Sequence, residues 1–496
     1  MSAAEAHLLA GRFVEALQPY LEVTSESDPI ALSEKAFLLE RVGQSMQARL
    51  ICQRLTARRN CTPSVRSRCE FVEGQINWEE GRIAAAIERF QAAAKWGRVA
   101  EDADLVFWPQ LRLYGVLTDQ RGPDAGAPTL VELRRIALGE GSPVLVAALH
   151  VMVGQVEAKR GGLLAAVRHS KISLELIRST PNAWLQALAF NNLVAVALMQ
   201  HRYDEARLHA GEAIRWAECS GSPSTIRACL GTRGYLDYCC GLYEDSEACL
   251  RRAMATGSFR GEAAHAAMDT LALVCLAKRE WDRCVSLLDE IEDGATDATR
   301  SQYAYRNARL TLAKVRFAQQ RYEEAVEVCR DLVERATAAC DVPLRLEAIV
   351  RESEALVAIG RGREAAGRLS ELSPLLCDSS PGLRAKYERA VASVLESRGY
   401  GAESQMHGRL AMRLLEATTH GVRDVDHGRT ESVVGALGMP GSQRCMDAEA
   451  LLSMATAMRF ADNSEVVEGE IAYLVTGGRL GALLRSAVGV SGASKG

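Results

Sequence analysis

Aromatic side chains make up only 5% of this 496-residue chain, and proline occurs just thirteen times. The low aromatic content argues against the large mixed core of a globular enzyme. Scarce proline, with no long β-branched run, leaves helix as the dominant structure. No stretch reaches eighteen uninterrupted apolar residues, which excludes a membrane-spanning helix. The start, MSAAEAHLLAGRFVEAL, has no basic region ahead of an apolar run, so a secretory signal is not expected. Fourteen cysteines are present, yet no two are spaced C-x-x-C. Cys229, Cys249, Cys275, Cys284 and Cys329 fall at apolar helical positions and read as buried, reduced thiols. Reduced thiols imply a cytoplasmic setting.

Catalytic and cofactor signatures are missing too. The nine histidines are scattered, with His150, His169 and His201 unaccompanied by a second ligand at metal-binding spacing, so no metal or other cofactor is expected. No nucleophile elbow, kinase signature or dinucleotide fingerprint occurs. Residues 489–496, GVSGASKG, resemble a phosphate-binding loop, but Ser494 stands where glycine is needed and Gly496 where a hydroxyl would hold magnesium. The paired acids Asp204-Glu205 and Glu323-Glu324 open helices, where they suit the positive helix end. The chain therefore reads as non-enzymatic. A formal net charge of −4 disfavours direct nucleic-acid binding.

What is present is a repeat. A cassette, Gly-x-aromatic/aliphatic-x-x-Ala, starts at residues 11, 43, 81, 122, 161, 201, 241, 279, 320, 360 and 399. Clear copies are Gly11-Arg12-Phe13-Val14-Glu15-Ala16 and Gly81-Arg82-Ile83-Ala84-Ala85-Ala86. The spacing stays near forty residues, and so steady a period means a solenoid. Glycine ends one helix in the left-handed conformation. The aromatic wedges between that helix and the next, and the alanine lets the two approach. A second glycine lies seven residues earlier in several copies, at Gly74, Gly115, Gly154 and Gly234. Two helical turns separate the pair, so the earlier glycine is expected to face the partner helix.

The pattern resembles the tetratricopeptide repeat, carried by Gly74, Gly81, Ile83, Ala86, Phe90 and Ala93 in one copy and by Tyr322, Ala325, Cys329 and Leu332 in another. Its period exceeds the usual 34 residues by about six, or roughly nine ångströms of helix. In this it is similar to the long-helix repeats in the sensory arm of multidomain bacterial transcription regulators. The resemblance covers residues 1–415 and implies a right-handed, all-α solenoid of about ten or eleven hairpins. Residues 416–444 read as a linker or frayed last helix, 445–490 as a small C-terminal element, and 491–496 as a disordered tail.

The resemblance also implies a binding face. In such repeats the first helix of each pair lines a concave groove, with inward positions thirteen, ten, six, three and two residues before each cassette. This register selects Arg68, Phe71, Gln75, Trp78 and Glu79, then Gln155 and Lys159, then Asn191 with Asn192 beside it. It also selects Tyr235, Tyr238, Asn307, Lys314 and Phe317. Amides, aromatics and cations there suit an extended peptide, whose backbone needs donors and acceptors. The expected function is a protein-binding scaffold or sensor, regulatory in a bacterial cell. The alternatives are an inhibitory or accessory subunit clamping a catalytic partner (a protease, nuclease or defence complex) and a small-molecule or nucleic-acid sensor. The basic residues Arg306, Arg309, Lys314, Arg316 and Arg321 would serve the latter.

Overall fold

The computed structural model describes residues 3–23, 28–179, 181–256, 261–372, 375–376 and 379–420. The expected C-terminal features at 421–444, 445–490 and 491–496 lie outside them. Among the described residues all regular structure is helical, in eleven successive hairpins. The pairs are α1 (Ala3–Leu9) with α2 (Phe13–Leu17), α3 (Pro29–Arg41) with α4 (Ser45–Thr56), and α5 (Pro63–Glu79) with α6 (Ile83–Val99). Next come α7 (Ala103–Arg121) with α8 (Pro123–Glu140), α9 (Pro143–Lys159) with α10 (Leu163–Leu176), and α11 (Ala183–Met199) with α12 (Tyr203–Ser220). Then follow α13 (Pro223–Cys239) with α14 (Tyr243–Ala255), α15 (Gly261–Lys278) with α16 (Trp281–Asp293), and α17 (Tyr303–Ala318) with α18 (Tyr322–Ala338). The last pairs are α19 (Val342–Ala358) with α20 (Gly362–Ser370), and α21 (Pro381–Ser397) with α22 (Gly401–His420). The protein is thus an α-solenoid of tetratricopeptide-like hairpins. Its last described helix runs five residues past 415.

Every cassette start has positive φ, from 59° at His201 to 87° at Gly399. At every start except Gly122, which precedes Pro123, the next residue's N–H then closes a bond five residues back, as from Arg82 to the Asn77 carbonyl at 2.8 Å and from Leu242 to Asp237 at 2.9 Å. This satisfies carbonyls that the helix end would otherwise orphan. Glycine holds eight of the eleven starts, and His201, Arg279 and Gln320 hold the rest at a steric cost. Arg279→Gly should therefore stabilise the chain by roughly 0.5–1 kcal/mol, the relief being partly offset by a more flexible unfolded chain. A thermal melt showing no gain would refute that reading of the turn.

The two helices of a pair begin differently. Several first helices carry a side-chain cap: Asp28 accepts from Ala31 N at 2.9 Å, Asp102 from Leu105 N at 3.1 Å and Asn182 from Leu185 N at 2.9 Å. Second helices start straight out of the cassette turn with no such bond, as at Arg12, Arg82 and Leu242. Their small residues Ala16, Ala86, Ala206, Ser246, Cys284 and Ala325 are fully buried. Where alanine is replaced, the polar atom finds a carbonyl of the first helix: Ser246 Oγ donates to Gly234 O at 2.7 Å, and Cys284 Sγ to Ala272 O at 3.1 Å. A Cβ on Gly74 would stand 2.7 Å from the Phe90 ring, and one on Gly234 2.8 Å from Leu250, as the seven-residue spacing predicts. Gly115 differs, because its close neighbour is Met152 of α9, in the following hairpin.

The described chain divides into two compact units, 1–315 with 334–344, and 316–333 with the residues from 345 onward. In the second unit, the fully buried Glu352 of α19 joins Arg330 of α18 at 3.0 Å and Arg368 of α20 at 2.8 Å. His407 of α22 meets the fully buried Glu388 of α21 at 2.6 Å.

The first unit winds tightly. Ala183 N donates to Ala10 O at 2.8 Å and Asn182 Nδ2 to Leu9 O at 2.9 Å, a separation of 173 residues. The turn at Gly43 meets Pro223, that at Gly81 meets Gly261, that at Gly122 meets Cys340, and that at Gly161 meets Pro343. The turns at Gly11, Gly43, Gly81 and Gly161 therefore sit near the start of the first helix five hairpins on, that at Gly122 sits beside the α18–α19 junction, and successive superhelical turns touch. The negative end of one inner helix faces the positive end of another, a favourable alignment.

The inner helices and the candidate interaction surface

Where the turns of the first unit meet, its axis is filled with charge and aromatic rings. The Arg41 guanidinium, on a residue only 6% exposed, lies 5.1 Å from the Phe37 centroid, 5.3 Å from Trp184 and 5.8 Å from both Phe13 and Phe71. Beside it Glu40 comes within 3.5 Å of the Arg41 Nε. Burial pushes the Glu40 carboxyl up to about 7, against the pull of Arg41 and Arg112. Burial, reinforced by Arg41, brings Arg112 down to about 10.

A second cluster lies farther along the axis. Arg306, 1% exposed, donates to the Asp119 carbonyl at 3.3 Å and to Asp341 Oδ2 at 3.3 Å, and also bonds the Ser301 carbonyl. Lys159 Nζ donates to Asp119 Oδ1 at 2.9 Å, and Tyr303 N to Asp119 Oδ2 at 3.3 Å. Despite its burial, the Asp119 carboxyl is held below the usual range by Lys159 and Arg306. Burial and the Asp119 charge raise Glu262 beside it.

Applied to the cassettes at 43 and 122, the inward register selects Glu40 and Arg41, and Arg112 and Asp119. These axial residues were absent from the sequence-based set, although the same rule finds them. Arg306, fourteen residues before its cassette, falls just outside the rule.

The residues named from sequence divide by surroundings. Phe71 is buried between Phe37 and Phe90, with centroids at 6.3 and 6.0 Å, and Trp78 packs against the same apolar cluster. Arg68 pairs with Glu34 at 2.8 Å. Asn192 is buried and donates to Val151 O of α9 at 2.9 Å, tying neighbouring hairpins together. Gln75 is buried, and its Oε1 has no hydrogen-bond partner among the described residues. Gln155 is exposed, and Lys159 belongs to the Asp119 cluster. Asn307 Nδ2 is spent on its own helix, at Tyr303 O. In the second unit Phe317 meets Tyr322 edge-on at 5.2 Å with Arg351 over its ring at 5.0 Å.

Four of the set remain on the inner helices α11, α13 and α17 without being absorbed into an apolar core or an axial cluster. Tyr235 and Tyr238 stack at 6.0 Å, and Tyr235 is 39% exposed. The half-buried Asn191 keeps an Oδ1 with no hydrogen-bond partner among the described residues. Lys314 is half-buried and acts electrostatically on Asp269, an inner residue of α15 that sequence reasoning missed. Burial brings the Asp269 carboxyl up to about 6, opposed by a bond from Thr311 and by Lys314.

Other features are structural. Of the basic residues weighed for nucleic acid, Arg306 is buried, Arg309 pairs with Glu292 at 3.7 Å, and Arg321 with Glu324 at 2.5 Å. Cys229, Cys284 and Cys329 are free thiols, and burial pushes them up to about 12. Cys249 is half-buried rather than buried. No group of three or more metal-ligating side chains converges among the described residues, and no described helix is long and apolar enough to cross a membrane.

His150 and His169, read from sequence as unaccompanied, meet across α9 and α10 with their Nδ1 atoms 2.7 Å apart. Burial lowers the proton affinity of both, and each is neighboured by the Arg134 charge. Their folded values lie below the usual 6.5, so the neutral pair supports the fold above that pH and the support is lost as pH falls through the folded values. The pair's own contribution should fall between about pH 7.5 and 5, so the melting temperature of His169→Gln relative to the parent should rise as pH drops across that range. An unchanged profile in the variant would remove the pair as a source of pH dependence.

No protein-family model and no curated protein sequence matches the chain. Among solved structures it is similar to a Rap protein complexed with competence and sporulation factor: 12% identity, 80% of this chain and 99% of the other, TM-score 0.48. It is also similar to the Cut9–Hcn1 hetero-tetramer of the APC/C, at 10% identity over 94% of each chain with a TM-score of 0.44. Yeast Tom70 matches at 12% identity over 88% of this chain and 98% of its own, with a TM-score of 0.37. At such identities and scores these likenesses carry no functional weight, and the fold rests on the hairpins themselves.

Proposed function

We propose that the protein is a non-enzymatic, regulatory protein-binding scaffold or sensor, and that it holds an extended segment of a partner against the inner helices α11, α13, α15 and α17. The observation that carries this reading is the Tyr235–Tyr238 stack on α13, half open to solvent. Stacked tyrosines offer rigid contact area to an extended segment. Asp269 and Lys314 add one charge of each sign to the same face. The long repeat period agrees with a sensory arm of a bacterial transcription regulator, acting through another protein.

The test begins with a photo-crosslinking residue at Tyr235, which should capture the partner, whereas one at Arg252 should not. Arg252 is a suitable control because it is already paired with Glu218 on the second helices. With that partner in hand, Tyr235→Ala should weaken binding by about 1–2 kcal/mol with helical content unchanged. Equal losses from Tyr235→Ala and Arg252→Ala in titration calorimetry would overturn the inner-face site.

A further inference from the structure

Arg41 and Arg306 are both buried on the axis of the first unit, and they are served differently. Arg306 spends its donors on the Asp119 and Ser301 carbonyls and on Asp341. The Arg41 side chain, 6% exposed, makes no hydrogen bond among the described residues. Glu40 Oε2 stands 3.5 Å from its Nε, and that oxygen has no hydrogen-bond partner among them either. The four aromatic rings around the guanidinium attract its charge but offer its N–H groups no oxygen.

Arg112 of α7 is in the same condition. It is half-buried and lies 5.9 Å from the centroid of Trp184, the ring that Arg41 approaches at 5.3 Å. It forms no ion pair and no side-chain hydrogen bond among the described residues. The nitrogens of both guanidinium groups keep some access to solvent, whereas Gln75 Oε1 nearby is sealed from it. Arg227 of α13, 5% exposed, faces Glu79. Three arginines here share two glutamates, Glu40 and Glu79, so positive charge is in excess. The excess grows when Glu40 takes up a proton, which burial favours up to about pH 7. Unspent buried donors are costly, and the planar fork of a guanidinium matches the two oxygens of a carboxylate.

We propose that Arg41 and Arg112 form an anion site on the axis of the first unit, beside Trp184, which takes one carboxylate group of a ligand. The site is separate from the Tyr235–Tyr238 face and does not depend on it. A phosphate dianion fits less well, because its second charge would be set against Glu40 and Glu79.

Acetate, the smallest probe that carries this group, supplies the test. On the full-length chain at about pH 6 and fixed ionic strength, exchanging chloride for acetate should raise the melting temperature saturably. Arg112→Gln breaks no ion pair and should weaken the acetate response about 10-fold. Glu40 is faced by Arg41 on its own helix, Glu79 from α5 and Arg112 from α7. Its ionisation sets a negative charge beside the site, so acetate should bind the parent more weakly at about pH 8 than at about pH 6. Glu40→Gln should match the parent at the lower pH and bind acetate more tightly than it does at the higher. If Arg112→Gln does not fold, the Glu40→Gln comparison decides alone. No saturable response to acetate, or equal responses in the parent and Arg112→Gln, would overturn the site. Stabilisation by inorganic phosphate without any by acetate would overturn its assignment to a carboxylate.

Discussion

Arg306→Ala should lower the stability of the first unit by about 3–5 kcal/mol, because it strands buried carboxylates. The arginine is 1% exposed, and Asp119 and Asp341, which it serves from opposite sides, are 5% and 2% exposed. Removing the cation leaves Asp119 with Lys159 and the Tyr303 N–H, and leaves Asp341 with the Leu344 N–H that it caps at 3.3 Å. The loss should appear as a lower denaturant midpoint for the first unit. A control is Arg178→Ala, whose pair with Glu175 has side chains 80% and 73% exposed. That change should stay within about 0.5 kcal/mol. Equal effects from the two would mean that the axial cluster is solvated and does not behave as a buried ion network.

Glu40→Gln should do the opposite, by an amount that grows as pH rises above about 4.5 and is complete above about 7. The folded-state value of about 7 lies above the ordinary 4.5, so the folded protein holds this proton more tightly than the unfolded chain does. The stabilising contribution is complete below about 4.5 and is lost as pH rises through about 7. Glutamine mimics the protonated acid. The variant should match the parent near pH 4.5 and be more stable at pH 8 by about 1–3 kcal/mol. The groups facing Glu40 are Arg41 on its own helix, Glu79 from α5 and Arg112 from α7. If the two arginines keep Glu40 ionised throughout, Glu40→Gln would destabilise the protein at pH 8, and that sign alone rejects the account.

The hairpins were legible in the sequence because their causes are local. A left-handed residue, a wedge two positions later and a small residue three beyond that lie within one short segment. All eleven starts identified from that cassette have positive φ, including the three without glycine. The inner face was half legible. The inward register placed Lys159, Asn191, Tyr235 and Tyr238 on first helices, yet it could not tell an open position from a filled one. Phe71 and Asn192 obey or adjoin the register and are nonetheless buried. Tight winding was not legible at all. The bond from Arg306 to Asp119 spans 187 residues, and the pitch that makes it sums small rotations over five hairpins. No local pattern encodes that sum, and so the Gly11–Asn182 and Gly81–Gly261 approaches look like ordinary turns in the sequence. Gly115 failed for a related reason: a bare helix face is visible in sequence, but which neighbour fills it is not.

The five-hairpin winding also bears on how such a chain can change over generations. An open array tolerates the gain or loss of one module, since each unit answers only to its neighbours. Here an internal deletion of one hairpin between α3 and α10 would bring Gly11 opposite the Ser222 turn in place of Asn182, and Asp119, where retained, opposite the wrong helix start. Every later partnership would slip together. Duplication in blocks of five would preserve the register, whereas single duplications would need compensating substitutions at each crossing. The length of the first unit is thus tied to its own circumference, and homologues should vary in module number at the ends far more readily than in the middle.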